Sequence, residues 1–168
     1  MRVTAVVLAA GSSSRLGRPK QELVYEGETL LARATRLAHE VADDVIIIDR
    51  AANPDASEGI ASSIRLGVER AGNDARLLFL LCDQPRITAD HLRALIAHDA
   101  PIVASGYAGI AGVPAIFAPH FVAELLALHG NRGARSIIER HRDEVHVIEF
   151  EDAAFDIDEG GDLQKLQR

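Results

Sequence analysis

Short continuous apolar runs alternate along this chain with longer stretches whose apolar residues recur every three or four positions. Residues 3–9 (VTAVVLA) form a β-branched run ended by Gly11, which predicts a strand buried on both faces. Residues 29–41 set Leu30, Leu31, Ala34, Leu37, Ala38 and Val41 at helical spacing. A second buried strand is predicted at 44–49 (DVIIID), then a helix over 58–71 with Ile60, Ile64, Leu66, Val68 and Ala71 among its apolar positions. Residues 76–82 (RLLFLLC) are apolar on both faces and predict a central strand. Thr88 is the expected cap of a helix reaching about residue 98, with Asp90 and His91 in its first turn. Beyond it the pattern predicts a strand at 101–104, a three-glycine loop at 106–112 and a strand at 113–118. Helices are expected at 119–129 and 133–142 around Gly130-Asn131, an alternating and more exposed strand at 145–150, and a short helix at 162–167.

The order βαβαβα followed by a mixed tail predicts a three-layer α/β/α, Rossmann-like fold with a mostly parallel mixed sheet. Ligands of such sheets sit beyond the carboxyl ends of the strands. The 168 residues are enough for one domain spanning 1–168, and no repeat or linker divides them. Aromatic residues make up 4% of the chain and there is no Trp, so the core must be aliphatic. A net charge of -7 argues against nucleic acid as a partner, which needs clustered Lys and Arg. Cys82 is the only cysteine, so neither an intramolecular disulfide nor a cysteine-based zinc site is expected; this fits a cytoplasmic setting. Residues 1–10 lack the pattern of a secretory leader, and no apolar run approaches the ~18 residues of a membrane span. The seven histidines show no ligand spacing, and His91, His98, His129 and His141 are expected on helix surfaces.

The chemistry concentrates after the first strand, in AAGSSSRLGRPK (9–20). Gly11 permits close backbone approach, and successive amides in such a turn form a nest for phosphate oxygens. Ser12, Ser13 and Ser14 add hydroxyl donors, and Arg15, Arg18 and Lys20 put three cations within six residues of an otherwise acidic chain. A solvated surface turn would share the composition, but not the position directly after a buried strand. A Walker loop is excluded by the Gly11 to Gly17 spacing and by Arg18, and the dinucleotide loop by Ser13 at its second glycine position.

The segment LAAGSSSRLGRPKQEL resembles the loop of the MobA/MocA-like nucleotidyltransferases, L-A-[AG]-G-x-[SG]-x-R-[ML]-G-x-x-K. Leu8, Ala9, Ala10, Gly11, Arg15, Gly17 and Lys20 fall on that pattern. Four other segments resemble the same family. Cys82-Asp83-Gln84-Pro85 is similar to its D-[MQ]-P turn, which implies Asp83 as a metal ligand; a carboxylate at a strand end suits a hard cation, or else caps the turn before Thr88. GIASSI (59–64) is similar to a segment beside the nucleotide, which implies Gly59, Ser62 and Ser63 as contacts. GVPAIF (112–117) and NRGAR (131–135) resemble the acceptor side, which implies roles for Pro114, Arg132 and Arg135. Val113 stands where the family often has His. DIDEGGDL (156–163) is similar to the family's D-I-D-T-P-E-D-L, which implies Asp158, or else Asp156, as the second metal carboxylate; Glu159 and Gly160 depart from the pattern.

The resemblance runs over residues 3–166 and implies a GT-A-type nucleotidyltransferase fold. It implies Mg²⁺-dependent transfer of a nucleoside monophosphate from an NTP to a phosphorylated acceptor, with release of pyrophosphate. Arg15, Lys20 and Asp83 would be the catalytic groups, and Leu8 to Ser14 with Lys20 the triphosphate cradle. Ala10 matches the cytidylyl branch, where the guanylyl branch tends to have glycine, so CTP and molybdopterin are the expected substrates. A molybdenum enzyme is the implied recipient of the product. The alternatives are a guanylyltransferase, a transferase for a smaller phosphorylated acceptor, and a non-catalytic chaperone for the molybdenum cofactor.

Overall fold

The computed structural model describes residues 1–11, 17–157, 162, 164 and 165. Among them lie strands β1 (Val3–Ala9), β2 (Val24–Tyr25), β3 (Glu28–Thr29), β4 (Asp44–Asp49), β5 (Arg76–Leu81), β6 (Ile102–Tyr107), β7 (Ile110–Phe117) and β8 (Val145–Glu149). The helices are α1 (Leu30–Val41), α2 (Ile60–Ala71), α3 (Ala89–Ala97), α4 (Val122–Leu126) and α5 (Arg135–Arg140). Six strands form one sheet in the order β4-β1-β5-β7-β6-β8, and β2 pairs with β3 apart from it. β1 runs parallel to β4 and β5, and β6 parallel to β8, while β7 is antiparallel to both its neighbours. This is the mostly parallel mixed sheet that the element order predicts.

Successive residues of β1 serve opposite cores, which is why its sequence is apolar without interruption. Val6 and Leu8 join Ile64 and Val68 of α2 and Ile137 and Ile138 of α5 on one face. Ala5, Val7 and Ala9 join Ala34 and Leu37 of α1 and Leu92 and Leu95 of α3 on the other. The two cores make the three layers. α2 lies close to the sheet at Gly67, where a Cβ would stand 2.5 Å from Val6 Cγ1. Thr29 and Thr88 cap α1 and α3, each hydroxyl accepting from the amide three residues on, at 3.1 and 3.2 Å.

The chain leaves β1 toward β4 on one side and returns to β5 on the other, so the strand order reverses at the β1/β5 junction. The carboxyl ends of those two strands therefore flank a crevice. Gly11 and Cys82-Asp83 lie there.

The structure corrects several expectations. The predicted loop at 106–112 is a hairpin: β6 runs to Tyr107, β7 starts at Ile110, and Ala108 and Gly109 make the turn at φ 50 and 73. Gly106 and Gly112 are strand residues whose missing Cβ leaves room for Glu149 and Tyr107, so they mark close approach rather than irregular chain. The helices expected at 119–129 and 133–142 shrink to α4 and α5, with 3-10 turns at Pro119–Phe121 and Arg142–Glu144. The β2–β3 hairpin was not anticipated; Glu26 and Gly27 turn it at φ 50 and 83. His91 is buried rather than on a helix surface. It stacks on Phe150 at 4.1 Å and shares a 2.7 Å hydrogen bond with the buried Ser105 hydroxyl. Of the terminal helix, residues 162, 164 and 165 are described, and all three are helical.

Candidate active site

The crevice at the β1/β5 junction holds a cavity of about 350 Å³. Leu8, Ala9, Ala10 and Gly11 form the wall at the end of β1, and Leu81, Cys82 and Asp83 the wall at the end of β5. Ala56, Ser57, Gly59, Ile60 and Ser63 close it from the start of α2, with Asn131 beyond them. Lys20 and Gln21 come from the 3-10 turn Lys20–Glu22 that follows the loop. The Gln21 side-chain amide donates to the Ala9 carbonyl and ties that turn back to β1.

Lys20 Nζ lies 3.4 Å from Asp83 Oδ2, with side chains 15% and 22% exposed. Burial pushes the Asp83 carboxyl above the usual range, Lys20 opposes that shift, and the negative charge of Asp156 adds to it. Asp83 Oδ1 is buried and has no hydrogen-bond partner among the described residues. A carboxylate left half-satisfied in a partly dry crevice fits a hard cation. Asp156 is close enough to act on Asp83 because the Ile157 amide donates to the Asp83 carbonyl at 2.9 Å. Ile157 is itself buried against Leu23 and Leu30. Among the described residues no three His, Cys, Asp or Glu converge as a metal cage. Phosphate oxygens and water would supply the other positions. Beside Asp83 the Cys82 thiol is pushed up to about 12, first by burial and then by the Asp83 charge, so it is an inert thiol.

The start of α2 is fastened from both sides. Asn53 is buried and its side-chain amide donates to the Ser62 and Ser63 hydroxyls at 3.0 and 2.9 Å. The Ala61 amide donates to the Gly130 carbonyl at 3.1 Å. Gly59 has φ 118, and a Cβ there would stand 2.2 Å from that carbonyl oxygen, so only glycine allows the turn before α5 to reach α2.

Gln84 holds the far side. Its side-chain amide donates to the carbonyls of Val113 and Ala153 at 3.1 and 3.0 Å. The Tyr107 hydroxyl also donates to the Val113 carbonyl, at 3.1 Å, and Ser105 Oγ donates to the Pro114 carbonyl at 2.6 Å.

Of the residues singled out from sequence, Leu8, Ala9, Ala10, Gly11, Lys20, Gly59, Ser63 and Asp83 surround one cavity. Ser62 is not in its wall; its hydroxyl donates to the Gly59 carbonyl at 2.9 Å. Pro114 is buried and Arg132 is exposed, and neither lines it, while Arg135 lines a neighbouring cavity. Ser12, Ser13, Ser14, Arg15 and Asp158 lie outside the described residues. Sequence reasoning missed Gln21, Asn53, Gln84, Tyr107 and Asn131. Gln84, Gln21 and Asn131 carried a signal, since each lies in a family-like segment: the turn after Asp83, the end of the first loop and the NRGAR turn.

Known proteins resemble this chain. Over 164 residues the chain is 30% identical to the Bacillus subtilis "Purine catabolism protein PucB", covering 79% of this chain and 78% of that one. It is 35% identical over 107 residues to a "Probable molybdenum cofactor guanylyltransferase" of Synechococcus elongatus, covering 62% and 54%. Among solved structures, Rv0371c of Mycobacterium tuberculosis superposes with a TM-score of 0.84 at 28% identity, covering 99% of this chain and 98% of that one. A manganese complex of that protein superposes at 0.77 with 25% identity, covering 99% and 98%. Residues 5–145 match the MobA-like NTP transferase domain, so the chain belongs to that family and is a nucleotidyltransferase.

Proposed function

We propose that this protein transfers CMP from CTP to the phosphate of molybdopterin, with release of pyrophosphate. The observation that carries the reading is the Lys20–Asp83 contact at the mouth of the cavity, with one Asp83 oxygen buried and unpartnered. The loop from Gly11 through Ser14, with Arg15 and Lys20, binds the triphosphate and stabilises the leaving pyrophosphate. Gly59, Ser63 and Ala10 line the cavity; on this reading the first two flank the nucleoside, and the Cβ of Ala10 would narrow the space for a purine. Asp83, with Asp158 or Asp156, holds Mg²⁺, which supplies positive charge against the phosphate oxygens. The acceptor phosphate is already an anion, so its oxygen attacks the α-phosphorus without a general base. Catalysis is then positioning and charge neutralisation. Arg135 meets the acceptor phosphate. A molybdenum enzyme in the cytoplasm is the partner implied for the product.

A second reading takes GTP as donor. It is favoured by the likeness to a relative named as a guanylyltransferase. The experiment is a thermal-shift panel of CTP, GTP, ATP and UTP with and without Mg²⁺, on wild type and Asp83→Ala. A metal-dependent rise with CTP alone, lost in the variant, is expected. A rise with GTP alone moves the donor to guanosine, and no rise with any NTP overturns nucleotidyl transfer by this chain.

A further inference from the structure

The turn Asp83-Gln84-Pro85-Arg86 leads from β5 toward α3, and three of its residues grip one short segment of distant chain. That segment is 153–157, which follows β8 and carries Asp156. At its start the Gln84 side-chain amide donates to the Ala153 carbonyl at 3.0 Å, across 69 positions of chain. At its end the Ile157 amide donates to the Asp83 carbonyl at 2.9 Å. Between the two, the Arg86 guanidinium lies over the Phe155 ring, 4.3 Å from its centroid. Ala153 is buried in the core that α1 and α3 share, and Ile157 in the small one around Leu23 and Leu30. Asp156 stands exposed between these pinned neighbours, and its charge acts on Asp83.

Gln84 is the centre of the grip. It is 6% exposed, and both protons of its amide are used, one on Ala153 and one on the Val113 carbonyl of β7. An apolar side chain of the same length could fill the space, but it could not fix segment 153–157 to β5 and β7 at one register. Two neighbouring carboxylates repel one another, so a segment that carries Asp156 would swing away from Asp83 unless something held it. The contacts at 153, 155 and 157 offset that repulsion as the chain folds, and a cation then meets a pair already formed.

We propose that Gln84, assisted by Arg86, is a positioning residue that keeps the Asp156 carboxylate beside that of Asp83 and thereby sets the affinity of the pair for a divalent cation. The inference rests on the metal role given to Asp83 in the reading above, and it assigns the second carboxylate to Asp156. Groups that orient ligands without touching the metal commonly change its affinity by about 10- to 100-fold.

The probe is Mn²⁺ alone, titrated into the full chain and followed by its electron paramagnetic resonance signal, with the folding of each variant checked by thermal melting. Gln84→Met keeps the length of the side chain and removes both donors, and it is expected to weaken Mn²⁺ binding by about tenfold. Arg86→Met removes the charge over Phe155 and leaves Gln84 in place, for an expected loss of about two- to fivefold. Asp156→Asn is expected to weaken Mn²⁺ by itself. In that background Gln84→Met should cost nothing further, because a residue that acts through Asp156 then has nothing to position. The same loss from Gln84→Met with and without Asp156 would make Gln84 a support of the fold alone and overturns the proposal. So does Mn²⁺ affinity of wild-type strength in Gln84→Met or in Asp156→Asn. If Gln84→Met does not fold, Arg86→Met with and without Asp156 makes the same comparison. A wild type that binds no Mn²⁺ also overturns the proposal and leaves the NTP thermal shift to decide the transfer reading. A wild type that binds Mn²⁺ and shows no NTP shift brings down the transfer reading alone.

Discussion

The ammonium of Lys20 stands 3.4 Å from the Asp83 carboxylate across 63 positions of chain, and the contact joins the end of the N-terminal loop to the end of β5. It exists because β1 and β5 are parallel neighbours in register, Leu8 beside Leu81, so whatever follows each strand emerges at the same edge. A cation that reaches a half-satisfied carboxylate at that edge marks where phosphate and metal charges can balance.

On the proposed reading the Asp83 charge acts in the transition state, so Asp83→Asn is expected to lower kcat/KM by about 100-fold or more. Its effect on stability runs the other way. Burial raises the folded carboxyl above its unfolded value, so the folded state holds the proton more tightly, and stability falls as pH rises through the interval between the two. Without metal, Asp83→Asn should therefore be at least as stable as wild type at pH 7, by thermal melting. With Mg²⁺ and CTP the order should reverse. A variant that melts well below wild type without metal would show Asp83 to be structural.

Lys20→Met keeps most of the stem and removes the charge. It should lower kcat/KM for the nucleotide by about 100-fold with a melting temperature close to wild type. Steady-state kinetics against thermal melting separates the two effects.

Gly59→Ala should destabilise the fold by about 3 kcal/mol, because its Cβ meets backbone at φ 118. Part of the strain is relieved only by moving the turn at Gly130-Asn131 off α2, so the KM for nucleotide should rise as well. Denaturant titration and kinetics on the same preparation check both, and an unchanged KM would detach that turn from the nucleotide site.

His91 predicts an acid limit. Burial lowers its imidazole to about 4, so the folded state resists a proton that the unfolded chain takes up near 6.5. Its contribution is complete above the unfolded value and is lost as pH falls from about 6.5 toward 4, on the order of 2–3 kcal/mol in all. His91→Gln cannot titrate and should show a flatter melting temperature over that interval. Equal pH slopes for the two proteins would remove His91 from the acid response.

The candidate site was legible where its chemistry is contiguous. Gly11 and Asp83 could be named because each follows an apolar run whose end is visible in the pattern, and Lys20 because it is one of three cations in the loop after the first run. Gln84 could not be assigned a task, because the carbonyls it binds lie 29 and 69 positions away. Asn53 reads as an ordinary loop residue until α2 brings Ser62 and Ser63 onto it. The glycines at 106 and 112 read as loop because turns and close approaches both select glycine, and composition does not separate them. His91 reads as one of four helical histidines at the surface because no ligand spacing links them, whereas Phe150 and Ser105 cover it.

Local sequence determined most of the main strands and the helices α1 to α3, since strand and helix periodicity and the threonine caps act over a few residues. It also determined that a Gly/Ser-rich loop with three cations follows β1 and that a carboxylate follows β5. Tertiary structure alone decided that β7 inserts between β5 and β6, that Ile157 brings Asp156 to Asp83, and that the turn from Asn131 to Arg135 stands between two cavities. Those outcomes depend on which faces bury against which. That choice is settled by total burial across the sheet and not by any one segment.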